Sequence, residues 1–102
     1  MMLTSKQRAF LRKLAAVKKP ELNIGKTDLS ETSFQEIEDL LRTRELVKVQ
    51  VLKSSELDGK RAAEMMAEAS GAEVVQVIGR RFVLYRHSPE LAKKDAAILL
   101  PR

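Results

Sequence analysis

AEVVQVIGRRFVLYRH, residues 72–87, holds two runs rich in valine and aromatic side chains on either side of Gly79-Arg80. β-branched and aromatic residues fit a pleated, half-buried surface. A glycine at the first position of a two-residue loop supplies the positive φ of a type II′ turn. Strand, turn and strand are therefore expected over residues 73–86, and the fold must accommodate an antiparallel hairpin near its C-terminus.

Working back from the hairpin, residues 58–70 read as a helix with Ala62, Ala63, Met66 and Ala69 on the inner face. Gly71 is placed to end it. LVKVQVL (46–52) alternates, with Val47, Val49 and Val51 on one face and Lys48 and Gln50 on the other, as a strand requires. Before it, Phe34, Ile37, Leu40 and Leu41 share one side of a helix opened by Ser30, or by Asp28 with Glu31 three residues on. Glu38 and Arg42 stand at i,i+4 spacing on that helix. PELNI (20–24) reads as a short strand. A first helix, capped by Thr4 or Ser5, carries Phe10, Leu11, Leu14 and Val17 on one side and stops at Pro20.

The order is thus α-β-α-β-α-β-β. Each strand-helix-strand connection demands a right-handed crossover and parallel pairing, while the hairpin adds an antiparallel pair. The expected fold is a single α/β domain over residues 1–102 with a mixed four-stranded sheet, in two or partly three layers. The tail 90–102 is charged at first and apolar at its close, AAILLPR, and is expected to pack back on the domain.

The chain has 102 residues, no cysteine and one histidine. Without thiolates, and with His87 as the lone imidazole, a zinc site is not expected, and no cofactor is. No serine stands in a nucleophile elbow, so an enzyme is not expected. No run approaches the roughly 18 apolar residues of a membrane span, and MMLTSKQRAFLRKL is too regularly charged for a secretory signal. A cytoplasmic protein without membrane attachment is the expectation.

Charge is segregated. Residues 1–27 hold seven bases against Glu21 alone, a net of +6. Residues 28–45 hold six acids against Arg42 and Arg44, a net of −4. Residues 80–102 hold six bases against two acids, a net of +4. Several cations gathered on one surface can reach one polyanion together, which is what tracking a phosphate backbone needs. On the first helix Arg8 and Arg12 lie on one flank of the apolar stripe, with Lys6 and Lys13 on the other. Lys18 and Lys19 follow it. Phe10 and Phe34 belong to helix core faces and core packing is expected of Phe82 and Tyr85, so backbone and shape recognition is favoured over base stacking on exposed rings.

LTSKQRAFLRKLA, the proline-bounded strand, IGKTDLSETSFQEIEDLL, ELVKVQVL, and VVQVIGRRFVLYR with a terminal LPR together resemble the YhbY family, the stand-alone form of the CRM (chloroplast RNA splicing and ribosome maturation) domain. The resemblance runs through essentially the whole chain. It implies RNA binding, association with precursors of the large ribosomal subunit, and a fold like the C-terminal domain of bacterial translation initiation factor three. The family's GxxG loop falls on Gly25-Lys26-Thr27-Asp28, where Asp28 replaces the second glycine. Gly25, Lys26 and Thr27 still offer amides, a cation and a hydroxyl to a phosphate, whereas Asp28 brings a carboxylate.

The expected RNA-contacting residues are accordingly Lys6, Arg8, Arg12, Lys13, Lys18, Lys19, Gly25, Lys26 and Thr27, joined by Arg80 and Arg81 if the hairpin tip reaches the same face. The expected partner is ribosomal RNA in a pre-large subunit, bound by a monomer. Two other readings stand beside this one: an Alba-like nucleic-acid coating protein, which would call for a dimer, and a protein-interaction module using the acidic helix.

Overall fold

Thr4 opens the first helix, α1 (Ser5–Ala16), by a reciprocal cap in which its hydroxyl accepts from the Gln7 amide and the Gln7 side chain accepts from the Thr4 amide. In the computed structural model, which describes residues 3–26 and 29–102, the chain continues as β1 (Leu22–Ile24), α2 (Glu31–Arg44), β2 (Leu46–Val51), α3 (Gly59–Ser70), β3 (Glu73–Ile78), β4 (Arg81–Tyr85) and α4 (Pro89–Lys93). The expected order is met, and the short α4 within the tail is an addition. It starts at Ser88 because the Ser88 hydroxyl accepts from the Leu91 amide and Pro89 fits the first helical turn.

The four strands lie in the order β1-β2-β4-β3. β1 pairs parallel to β2, and β4 runs antiparallel to both its neighbours, so the first three strands all point the same way. α2 and α3 pack on one face of the sheet. There Ile37, Leu41, Ala62, Ala63 and Met66 meet Ile24, Val47, Val49, Val51, Phe82 and Leu84. α1 covers part of the other face, where Leu11 and Ala15 meet Leu46, Val75, Val83 and Tyr85. Each fully buried Leu, Ile or Phe contributes about 1.5–3 kcal/mol relative to exposure. The sheet is thus sandwiched, and both Phe82 and Tyr85 are core residues on opposite faces.

The hairpin forms as expected. Ile78 pairs with Arg81, and the intervening Gly79 has φ +56° while Arg80 stays out of the positive region, the combination type II′ uses. Gly71 ends α3 with φ +71°. One irregularity was not visible in the valine pattern: a bulge between Val74 and Gln76, which lets Val75 and Gln76 both serve the α1 side of the sheet.

Three side-chain expectations need correction. Leu14 and Val17 are exposed, because α1 meets the sheet along Leu11 and Ala15, and Leu14 and Val17 fall round the helix from that line. Ala69 is exposed at the rim of α3 rather than inside it. Arg42 does not pair with Glu38. It pairs with Asp39 and Glu90, each at 3.2 Å, while Glu38 is taken by Arg86 at 2.6 Å, because α4 and the end of β4 bring new charges to α2. Of the two caps open for α2, Ser30 makes the contact, accepting from the Ser33 amide at 3.2 Å; Asp28 lies outside the described residues.

The tail packs back as expected, through Glu45. This residue ends α2 at φ 63° and is fully buried. Its carboxylate accepts from the Ser88 amide at 2.7 Å and the Ile98 amide at 2.6 Å, with His87 Nδ1 at 3.2 Å. Ile98 and Leu100 then close over the α1-side core, and Gln7 Nε2 donates to the Pro101 carbonyl at 3.1 Å.

Candidate nucleic-acid interface

Because β1, β2 and β3 are parallel, their carboxyl ends share one edge of the sheet. In open α/β sheets that edge is where ligands gather. The segments leaving it are Gly25-Lys26 after β1, Leu52-Lys53 after β2 and Gly79-Arg80 after β3. The amino ends of α2 and α3, capped by Ser30 and Asp58, return to the same edge and present the positive ends of their dipoles.

These segments are tied together by backbone bonds. The Leu52 amide donates to Ile24 O at 2.8 Å, the Val51 amide to Arg80 O at 2.7 Å, and Arg80 Nη1 to Leu52 O at 3.2 Å. α3 begins hard against the hairpin turn: a Cβ on Gly59 would stand 2.2 Å from Gly79 O. Gly25 is different. A Cβ there would lie 3.7 Å from Leu52 Cδ1 and Ser54 Oγ, ordinary contact, and its φ is not in the left-handed region, so neither space nor backbone angle requires the glycine.

The structure places the expected cations in three groups. Arg12 on α1 and Arg81 on β4 line one groove on the α1 side of the sheet. Lys26 and Arg80 stand exposed at the strand-end edge, where Arg80 makes the Leu52 contact just described. Lys6 and Lys13 share the outer ridge of α1, two turns apart, and Lys19 is exposed beyond its end. Arg81, at the start of β4, therefore shares the α1 side of the sheet with Arg12. Gly25 borders the edge, and Thr27 lies outside the described residues.

Two members of the set are engaged elsewhere. Arg8 turns inward and donates from Nη1 to the Val74 carbonyl, fastening α1 to β3. Lys18 pairs with Glu21 at 3.4 Å, and Glu21 also holds Arg44 at 2.7 Å. These pairs, with Arg42–Asp39, Arg42–Glu90 and Arg86–Glu38, lie around α1's exit and the far end of α2, so much of the acidic helix is compensated there. Among the described residues, Arg12, Lys26, Lys53, Lys60 and Arg81 have no ion-pair partner, and neither have Lys6, Lys13, Lys19 and Arg80.

Sequence reasoning missed Lys53 and Lys60. Both are exposed on the segment between β2 and α3 that returns to this edge. The signal was available in the parallel crossover, which sends every β-to-α connection to the same end of a sheet. Lys48 projects onto the α1 side of the sheet, where its Nζ donates to Ala15 O at 3.2 Å and Lys18 O at 3.1 Å, capping α1.

The aromatic rings offer little to stack on. Phe82 and Tyr85 are buried, and Phe10 and Phe34 are half-buried. Burial, and then the Glu45 carboxylate, pushes the Tyr85 phenol above its ordinary range. Among the described residues no three His, Asp or Glu side chains come together as a metal site, and no helix is long and apolar enough to cross a membrane.

A sandwiched, mixed four-stranded sheet with several lysines and arginines at its strand-end edge defines a small α/β domain. The CRS1 / YhbY (CRM) domain model matches residues 3–86, and the chain belongs to that family. It is 39% identical over 89 residues to the Bacillus subtilis protein named "Probable RNA-binding protein YqeI", covering 87% of this chain and 93% of that one. It is 36% identical over 100 residues to a Haemophilus influenzae protein named "RNA-binding protein", covering 98% and 96%. The solution structure of the hypothetical protein SAV1595 from Staphylococcus aureus superposes with a TM-score of 0.77 at 44% identity, covering 98% of this chain and all of that one.

Proposed function

We propose that this protein binds RNA without catalysing a reaction on it, and that it does so as a monomer in the cytoplasm while large ribosomal subunits are assembled. The observation that carries the reading is the convergence of Arg12, Lys26, Lys53, Lys60, Arg80 and Arg81, drawn from several separate segments, on one edge of the sheet and the groove beside it. Cations without acidic partners among the described residues, spread over such a surface, release counterions when a phosphate backbone replaces them. The names of the Bacillus and Haemophilus relatives support RNA as the polyanion. Lys6, Lys13 and Lys19 extend the surface along α1, and the amides of Gly25 and Lys26 add neutral donors.

Sedimentation of a cell lysate tests the assembly role. The protein is expected to travel with large-subunit precursors at low salt and to leave them at high salt or after RNase. Migration at the top of the gradient in every condition would refute that role. Association that survives RNase would favour a protein partner instead.

A further inference from the structure

Beside α1, on the sheet face it leaves uncovered, lies a groove of about 330 Å³. Pockets that hold small molecules start at about this size. Arg12 and Ala16 form one wall, Gln76, Ile78 and Val83 the floor, and Arg81 the opposite side. The floor is unusual for a basic surface. Ile78 is 64% exposed, a large apolar side chain left open to water at the very place where two arginines converge that have no ion-pair partner among the described residues. Gln76 is brought here by the bulge at Val75, and its side-chain amide has no hydrogen-bond partner among the described residues.

A purely phosphate-tracking surface has no use for an apolar floor, and a pocket for an apolar ligand has no use for two arginines. A nucleotide needs both: a flat face to lie on apolar or guanidinium surface, polar edges to meet an amide, and a phosphate to meet cations. We propose that the groove takes one unstacked nucleotide of a single-stranded RNA segment, its base against Ile78 and Val83 with an edge toward Gln76, its phosphate held by Arg12 and Arg81. The inference rests on the RNA-binding reading and adds to it a preference for single strands, because a paired base stays in its stack and cannot enter. Recognition then proceeds without an exposed aromatic ring, the aliphatic floor and the guanidinium planes taking that place.

The test titrates isotope-labelled full-length protein with hexauridylate, with an RNA duplex, with uridine monophosphate and with inorganic phosphate, following backbone amides. It then measures both RNA affinities for A16F, which fills the groove without changing charge. Hexauridylate is expected to shift Ala16, Gln76, Ile78 and Val83, and A16F to lower the single-strand-to-duplex affinity ratio about tenfold, the scale of one stacked base. The shifts are read on unmodified protein, so they stand even if A16F folds poorly. Equal shifts from inorganic phosphate would reduce the groove to an anion site and overturn the proposal. Full shifts from uridine monophosphate, with no gain from chain length, would replace the RNA strand by a free nucleotide. Hexauridylate and duplex binding with an unmoved groove would overturn this proposal alone, whereas no binding of either RNA would remove the RNA reading as well.

Discussion

The amide of Ile98 donates to Glu45 Oε1 at 2.6 Å, across 53 residues of chain, while the other oxygen of the same carboxylate takes the Ser88 amide. One buried side chain thus fixes both the start of α4 and the return of the tail. Glu45→Ala leaves two amides without their acceptor, at about 1–3 kcal/mol each. Urea unfolding is expected to show a loss of about 2–5 kcal/mol, with faster hydrogen exchange at Ile98; a loss below about 0.5 kcal/mol would show that the tail is held by packing alone. Glu45 also sits at φ 63°, where side chains are strained. Glu45→Gly should therefore cost less than Glu45→Ala, by about 1 kcal/mol.

Two glycines at the strand-end edge should behave in opposite ways. A Cβ on Gly59 meets the backbone oxygen of Gly79 at 2.2 Å, so Gly59→Ala must push α3 and the hairpin turn apart. Overpacking of this kind costs about 1–3 kcal/mol, visible as a lower Tm and as displaced amide signals at Gly79 and Arg80. Gly25→Ala meets only ordinary contacts at 3.7 Å and should stay within about 0.5 kcal/mol of the parent. Equal melting temperatures for the two variants would contradict the packing described at the turn.

Tyr85 is the sole tyrosine and there is no tryptophan, so phenolate absorbance reads this residue alone. Its folded-state pKa lies above the ordinary 10.0 because of burial and then Glu45. Above pH 10 the unfolded chain gives up this proton first, so the folded state holds more protons and stability falls as pH rises, by up to about 1.4 kcal/mol per pH unit, until the folded phenol itself ionises. Alkaline titration should show the native midpoint above that of the urea-unfolded protein. Coincident midpoints would mean that the phenol is solvated.

Arg8 and Arg12 are one helical turn apart yet have different tasks. Arg8 is spent on the Val74 carbonyl, and Arg12 opens into the groove. Arg8→Ala is expected to lower stability by about 1–2 kcal/mol with the salt dependence of RNA binding unchanged. A fall in that dependence equal to the one caused by Arg12→Ala would place Arg8 in the interface after all.

Much of this was legible in the residues because local signals agreed with one another. Gly79-Arg80 between valine runs, Gly71 after the alanine-rich face, and the alternation of 46–52 each had one good structural solution, and crossover handedness assembled them. What escaped were choices made by distant partners. Arg42 prefers Asp39 and Glu90 to Glu38 because α4, invisible as an element, folds against α2. Arg8 and Arg12 look equivalent in sequence, and only the approach of Val74 separates them. The bulge at Val75 leaves no mark in a run of valines, though it decides that Gln76 faces the groove. Lys53 and Lys60 flank a polar connection whose place at the strand-end edge follows from where the parallel strands end.

The central claim is that Arg12 and Arg81, 69 residues apart in sequence, act on one RNA backbone. The most direct measurement is RNA affinity against salt concentration for the parent, each single alanine variant and the double variant. The slope of log K against log salt should fall by about 0.7–0.9 for each lost phosphate contact, and by about twice that in the double variant. Slopes that stay at the parent value in all three variants, with the fold intact, would contradict the claim.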